Sequence, residues 1–575
     1  MLCNFVRDLD GCNAISAAIS SDRKAGQQLD ELIASLYING CNIDWCNYYP
    51  ERTVIPFGIP NYVFHETHSS LGNHAVVNLI NDSNEANETS DEQSDVIPDR
   101  DSISDYLKNV IYKNTHLDME RIQENENLIV YGLDSILLIK MADEIQGHFG
   151  IKLNIGAMMK HCSIEGWSLQ ILEMLNNNYD TEHVEQSFAL DIAGRYTPFA
   201  LNEVQMAYCV GRNEDMELGG NACYSYFEID LEELDVERFK QAVEKLVERH
   251  DMLRDVISPE GVQCVSEKCN LPFEYEDITG TDAEEKFLEN KRIKMQSSVI
   301  PLGEPMFDIS ITKHRNGYRI HFGIDFMICD AKSIMTLWND LSRLYAGEEL
   351  PAIEVTYRDY LRYRDEKKAS AKYEEDIQYW QEKAENFPPA PSLPVKYNSN
   401  MELNGGFKRR RRLIPLNIWK KFMENASKRG ITPSAALCSL YCEVLSLWGN
   451  ASDFGIVLTV FERDHIHPQV EEIVGDFTEL ILIDVERRQV SIAENAQNLQ
   501  EKIHSGIDHA LYSAVDLIKE INKLNKHENR IYPVVFTSTL GVEMADGQIT
   551  SNNFYDHLGY SSSSTPQVWL DHQVY

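Results

Sequence analysis

Basic side chains are scarce: across 575 residues there are 53 Lys and Arg against 91 Asp and Glu, a formal net charge of −38 at pH 7. A surface so acidic repels polyanions, which excludes a nucleic-acid binder and disfavours docking on anionic membranes. Long apolar runs are missing as well. No stretch reaches the about 18 consecutive apolar residues of a membrane helix, and Met1–Asp10 lacks the basic start and apolar run of a secretory signal. The chain is therefore read as soluble and cytosolic. Its 12 cysteines are too dilute for a disulfide scaffold and fit no zinc spacing. Cys41 and Cys46 come nearest, with His465 and His467 far along the chain; buried free thiols are the expectation, with no metal. What is present is material for packing: 43% hydrophobic and 10% aromatic residues, enough for several cores.

Composition divides the chain. Leu29, Leu32, Ile33, Leu36 and Tyr37 fall at helical spacing before Gly40, and an aromatic, proline-punctuated strap follows from Asn42 to Phe64. From Asn81 to Asp105 the chain is almost wholly acidic or polar, and residues 76–101 read as a flexible linker. Between 102 and 180 the pattern is helical: Leu138, Met141, Ile145 and Phe149 share one face, and Ile164, Trp167, Ile171 and Leu175 another. This predicts a small helix bundle. From 188 to 575 strands and helices alternate. Asp235 is placed to cap a helix bearing Phe239, Val243 and Leu246, while Ile320, Phe322 and Ile324, and then Pro533–Phe536, read as strands.

Within the bundle, Gly132-Leu133-Asp134-Ser135-Ile136 stands just ahead of an apolar-periodic helix. Unpaired amides and the positive dipole end favour a phosphate there, although an Asp-Ser pair is more often a simple cap. The unit resembles acyl and peptidyl carrier proteins, four-helix domains whose serine in this motif carries 4′-phosphopantetheine; the resemblance makes Ser135 the attachment site.

The large region carries Tyr196-Thr197-Pro198-Phe199-Ala200-Leu201-Asn202 with Gln205, then Arg249-His250-Asp251-Met252-Leu253-Arg254 and the proline-rich Phe387–Pro394. Thr432-Pro433-Ser434, Gly475-Asp476-Phe477-Thr478, Pro533–Ser538 and Thr565-Pro566-Gln567-Val568-Trp569-Leu570-Asp571 follow. In this order the motifs resemble the heterocyclization domains of nonribosomal peptide synthetases, relatives of condensation domains. The resemblance implies a two-lobed α/β, chloramphenicol-acetyltransferase-like fold with a tunnel between the lobes. Ordinary condensation domains carry His-His-x-x-x-Asp-Gly where this chain has Asp325-Phe326-Met327-Ile328-Cys329-Asp330. Phe326 replaces the second histidine, so no imidazole is offered for proton transfer. By spacing alone, two such aspartates are more often structural, one bound to an arginine and one solvated. Asp325 is expected to be mainly architectural and Asp330 nearer the tunnel. For ring closure the resemblance points to Thr537 and Asp571, with Gln567 beside them; read alone, these are a strand residue and a cap. Ser564 and Glu462 depart from the family's usual Gln or Arg and Asn, and the chain ends soon after Asp571, so the domain is expected to be C-terminally incomplete.

Residues 1–75, through Leu36–Gly40, Ile43-Asp44-Trp45 and Ile59–Phe64, resemble the linker after an acyltransferase domain of a polyketide synthase. The resemblances together imply a multidomain piece of a hybrid assembly line: linker (1–75), acidic linker (76–101), four-helix-bundle carrier (102–180) and cyclization domain (188–575). They imply as partners an upstream ketosynthase-acyltransferase region, a downstream aminoacyl carrier with its adenylation domain, and a phosphopantetheinyl transferase. The implied reaction joins a carrier-held acyl group to Cys, Ser or Thr and removes water to give a thiazoline or oxazoline; cysteine is the favoured acceptor because a thiolate is the better nucleophile. Plain amide condensation and a non-catalytic carrier piece are the alternatives.

Overall fold

The computed structural model describes residues 98–575 except 116–121, 132, 134, 152, 154–157, 159–160, 178–187, 215, 217, 269, 282, 395–406, 450, 462, 465, 526–528 and 541–552. The expected linkers at 1–75 and 76–101 thus lie outside the described residues, apart from the last few of the second, as do Cys41, Cys46, Gly132, Asp134, Glu462 and His465.

The carrier region shows α1 (Arg100–Thr115), a 3₁₀ turn (Leu128–Tyr131), α2 (Ser135–Phe149) and α3 (Ile164–Asn177). The predicted apolar faces are the buried ones: Leu138, Met141 and Ile145 are fully enclosed, as are Ile164, Trp167 and Ile171. A fourth long helix, which the resemblance implies, is not among the described residues.

The first lobe of the large region runs through β1 (Phe199–Ala200), α4 (Glu203–Gly211), β2 (Tyr224–Leu231), α5 (Val236–Arg249), β3 (Asp255–Ile257), β4 (Val262–Val265), β5 (Phe273–Asp277), α6 (Glu284–Gln296), β6 (Phe307–His314), β7 (Gly317–Asp325) and α7 (Ala331–Ala346). Asp235 caps α5 as expected, its carboxylate accepting the Arg238 amide at 3.1 Å. Phe239, Val243 and Leu246 point inward from that helix. After α8 (Tyr357–Lys367) and α9 (Ala371–Ala384), the second lobe adds α10 (Leu416–Ser427), α11 (Pro433–Gly449), β8 (Asp453–Phe461), β9 (Thr478–Glu486), α12 (Ile492–Asp508), α13 (Ala514–Leu524) and β10 (Val534–Ser538). Two strands close the chain, β11 (Leu558–Ser564) and β12 (Leu570–Val574).

The strand orders are β11-β2-β7-β6-β5 in the first lobe and β12-β10-β8-β9 in the second. β11 therefore leaves the second lobe to pair antiparallel with β2, and residues 565–569 return the chain to β12, parallel to β10. This crossing segment is fastened to the loop after α4. Ser564 donates to the Ala222 carbonyl at 2.8 Å and the Gln567 amide to the Leu218 carbonyl at 2.8 Å. Pro566 lies so close to Gly211 that a Cβ there would meet it at 2.5 Å.

Asp255 is wholly buried at the start of β3, and neither carboxyl oxygen has a hydrogen-bond partner of good geometry. Burial pushes it up to about 7, with Asp251 adding to the rise and the Val256 and Cys264 amides opposing it. An acid whose folded value exceeds its unfolded one favours folding at low pH and loses that contribution as pH rises through the folded value. The stability of Asp255→Asn should accordingly gain on the parent's as pH rises from about 4, the ordinary carboxylate range, to about 7, by on the order of a few kcal/mol, and level off above that; a difference between the two proteins that stays constant from about pH 4 to about 7 would refute the assignment.

Candidate active site

A cavity of about 1110 Å³ lies between the lobes. One wall comes from Tyr208, Phe227 and Phe326 of the first lobe and the other from Val457, Thr459, Val535 and Thr537 of the second, with the crossing segment and β12 closing it through Gln567 and Asp571. Phe326 turns an apolar ring toward this space from the position where condensation domains carry histidine.

The two aspartates that flank Phe326 do not line the cavity. Asp325 ends β7 with no exposed surface; Arg212 donates to its Oδ2, and the Met327 amide to Oδ1 at 3.0 Å. Burial pushes its carboxyl up to about 6 against the pull of Arg212. Asp330 caps α7, accepting the Ser333 amide at 2.6 Å, while Arg463 donates to both carboxylate oxygens at 2.9 and 3.1 Å. Asp330, expected nearer the tunnel, is like Asp325 wholly buried and outside the cavity lining: a buried carboxylate needs an arginine and N–H donors, and Asp330 has both. Both aspartates hold an arginine, and neither is solvated.

Arg463 follows β8 in the second lobe, so its pair with Asp330 fastens one sheet to the other. It also donates to the Ile473 carbonyl at 2.8 Å and stacks over Phe477 at 4.0 Å. Nearby, Ser333 and Tyr357 donate to the carbonyls of Gly475 and Asp476 at 3.0 and 2.7 Å. Asp476 is itself buried with Oδ2 unpartnered. Burial, together with Asp330 and Asp325, pushes its carboxyl well above the usual range. Two arginines serve Asp325, Asp330 and Asp476, and the one without a cation, Asp476, is the one pushed well above the usual carboxylate range.

Thr537 and Asp571 do meet at the cavity. In the parallel register Val535 faces Asp571 and Thr537 faces Gln573, which sets the Thr537 hydroxyl beside the Asp571 carboxyl. Oδ2 of Asp571 accepts the Gln573 amide at 2.6 Å, whereas Oδ1 is buried with no hydrogen-bond partner of good geometry. Burial raises this carboxyl above its ordinary value, and the Gln573 and Thr537 groups and the Arg409 charge pull it back. Gln567 also lines the cavity, from a left-handed backbone with φ of 60° that a side chain adopts at a cost. Arg409 and Arg411, from the basic run Lys408–Arg412, stand at the rim; Arg409 donates to Ser561 Oγ at 2.7 Å. Sequence reasoning passed over this run, although five adjacent cations in so acidic a chain were a visible signal.

In the carrier region Ser135 is the first residue of the 15-residue helix α2. The free backbone amides of a helix start suit a phosphodiester, so the residues present fit a phosphopantetheine group.

Comparison with known proteins agrees with this division. Residues 105–171 match the phosphopantetheine attachment site family, and residues 216–567 match the condensation domain family. The chain is 31% identical to phenyloxazoline synthase MbtB of Mycolicibacterium paratuberculosis over 80% of its own length and 39% of that protein's. It is also 31% identical to bacitracin synthase 1 of Bacillus licheniformis, over 80% of this chain and 9% of that one. It therefore spans about two fifths or less of the curated relatives it matches. Among solved structures it superimposes on the EpoB cyclization-docking bidomain of the Sorangium cellulosum nonribosomal peptide synthetase with a TM-score of 0.63 and 26% identity, covering 76% of this chain and 90% of that one. No helix among the described residues is long and apolar enough to cross a membrane. With a match over residues 216–567 and an interlobe cavity of this kind, the chain belongs to the condensation domain family and carries a phosphopantetheine attachment domain ahead of it.

Proposed function

We propose that this chain is a heterocyclizing segment of a peptide assembly line: it joins an acyl group to a carrier-bound Cys, Ser or Thr and closes the resulting amide to a thiazoline or oxazoline. The observation that carries this reading is a single cavity with Phe326 in place of an imidazole and a Thr537–Asp571 pair at its wall. The names of two relatives, a phenyloxazoline synthase and a cyclization bidomain, support it. Ser135 is the attachment position of the phosphopantetheine group. Bound there, the group supplies a flexible arm whose thiol holds the acyl group as a reactive thioester.

The chain's own residues divide the remaining work. Tyr208, Phe227 and Phe326 exclude water from the acyl group, which favours amide formation over hydrolysis. Ring closure requires the acceptor's side-chain proton to reach the amide oxygen, and dehydration requires the amide proton to leave with that oxygen as water. Asp571, its carboxyl raised by burial above the ordinary value, suits both transfers, and its buried Oδ1, the oxygen that Gln573 leaves uncontacted, is the one that exchanges the proton. Gln567 donates from its side-chain amide toward the same space. Asp325 and Asp330 hold the walls rather than the substrate.

As partners we propose a phosphopantetheinyl transferase and a downstream aminoacyl carrier with its adenylation domain. The resemblance of 1–75 supports an upstream ketosynthase-acyltransferase region. The deciding experiment weighs the product on a cysteinyl carrier after Ser135 has been loaded with a simple acyl-phosphopantetheine. A product one water lighter than the linear amide is expected, and Ser135→Ala should give none. A linear amide from the unmutated protein would reduce it to plain condensation.

A further inference from the structure

The central strand of the cavity wall, β8, is buried from Phe454 to Val460 except at Thr459. Odd-numbered positions of this strand face the cavity, where Val457 and Thr459 both appear. The parallel register sets Thr459 opposite Thr537, and their hydroxyl oxygens lie 3.1 Å apart. Thr537 in turn faces Gln573 and stands beside Asp571. Three adjacent strands thus present one polar row across an otherwise apolar wall.

We propose that Thr459 is a positioning residue for ring closure, completing a hydroxyl chain from Thr459 through Thr537 to Asp571 whose hydrogen bonds reverse when Asp571 gains or loses a proton. A hydroxyl both donates and accepts. With Asp571 ionised, Thr537 donates to the carboxylate and takes a hydrogen bond from Thr459. With Asp571 protonated, Thr537 turns and donates to Thr459. In the second state Asp571 donates to Thr537 and the Thr459 hydrogen turns into the cavity that Thr459 lines, so no hydrogen of the row points into the apolar wall.

The reaction that needs this is two-staged. First the side-chain X–H adds across the amide C=O: the X–C bond forms, the C=O π bond opens, and the proton passes from X to oxygen. Then the nitrogen gives up its proton, the C–O bond breaks, water leaves with that proton, and C=N forms. Asp571 carries a proton in each stage and ends as it began, so no co-reactant is required.

This inference rests on the ring-closing reading above, and its test separates the two. Thr459→Val keeps the branched shape and removes the hydroxyl, whereas Thr459→Ser restores it. In the full chain, acylated on Ser135 and supplied with a cysteinyl carrier, Thr459→Val should slow ring formation about tenfold while amide formation stays within about twofold. Thr459→Ser should recover the ring-forming rate. A difference infrared titration, parent minus Asp571→Asn, should find the Asp571 carboxyl at lower pH in Thr459→Val, because in its protonated state the Thr537 hydrogen has lost its acceptor. An unmoved titration, or a serine variant as slow as valine, overturns the proposal. If the parent forms no ring, the functional reading fails, and the titration alone still decides whether Thr459 supports Asp571.

Discussion

Asp571→Ala is expected to stop the reaction at the linear amide, lowering ring formation by about 10²- to 10⁴-fold, the usual worth of a positioned acid-base group. Amide formation should stay within a few-fold of the parent, because the acyl group and the attacking amine are held by the apolar walls. Stability should hardly change: Asp571 sits on the edge strand β12, and burial raises its carboxyl, which means its ionised form is not sheltered by folding. Asp571→Asn keeps the shape and the Gln573 contact but moves no proton, so it should match alanine. Loss of the amide as well as the ring, with an unchanged melting curve, would instead assign Asp571 to the first bond. Arg409 sharpens the test, since its charge favours the ionised carboxyl. Removing that charge in Arg409→Gln should shift the rise of the ring-forming rate with pH, which tracks Asp571 ionisation, to higher pH.

Local signals in the sequence were enough for elements and insufficient for partners. Asp235 three residues before Arg238, and the apolar face of Phe239, Val243 and Leu246, announce α5 because a cap and a helical period are short-range properties. The alternation at Ile320, Phe322 and Ile324 likewise announces β7, but it hides that His321 and Asp325 are buried on the other face, because β7 is flanked by β2 and β6 and covered on both sides. The role of Asp330 was illegible for a different reason. Its arginine lies 133 positions away, beyond a strand of another sheet, and Arg212 lies 113 positions from Asp325. The motif order did place Thr537 and Asp571 in one site. Thr459 gave no sign, because a threonine in an apolar strand is ordinary until the register sets it against Thr537.

The Asp330–Arg463 pair should produce the largest loss of stability in the domain. Arg463→Met removes the cation and leaves a buried carboxylate, together with the carbonyl of Ile473, short of a donor; breaking a pair of this kind from one side costs about 3–5 kcal/mol. Removing both charges, as Asp330→Leu with Arg463→Met, should cost less than the two single changes added together, because neither partner is then left alone. Asp330→Asn separates structure from chemistry. Asparagine still caps α7, so the helix start survives; what disappears is the charge that holds Arg463 and, through it, the second lobe. Melting temperature, amide yield and ring yield should fall together, and lowering the temperature until the variant is fully folded should restore both products. If Asp330→Asn melted with the parent and still made no ring, Asp330 would belong to the chemistry. The expected pattern leaves proton transfer with Asp571 and gives the paired aspartates the task of holding the walls around Phe326.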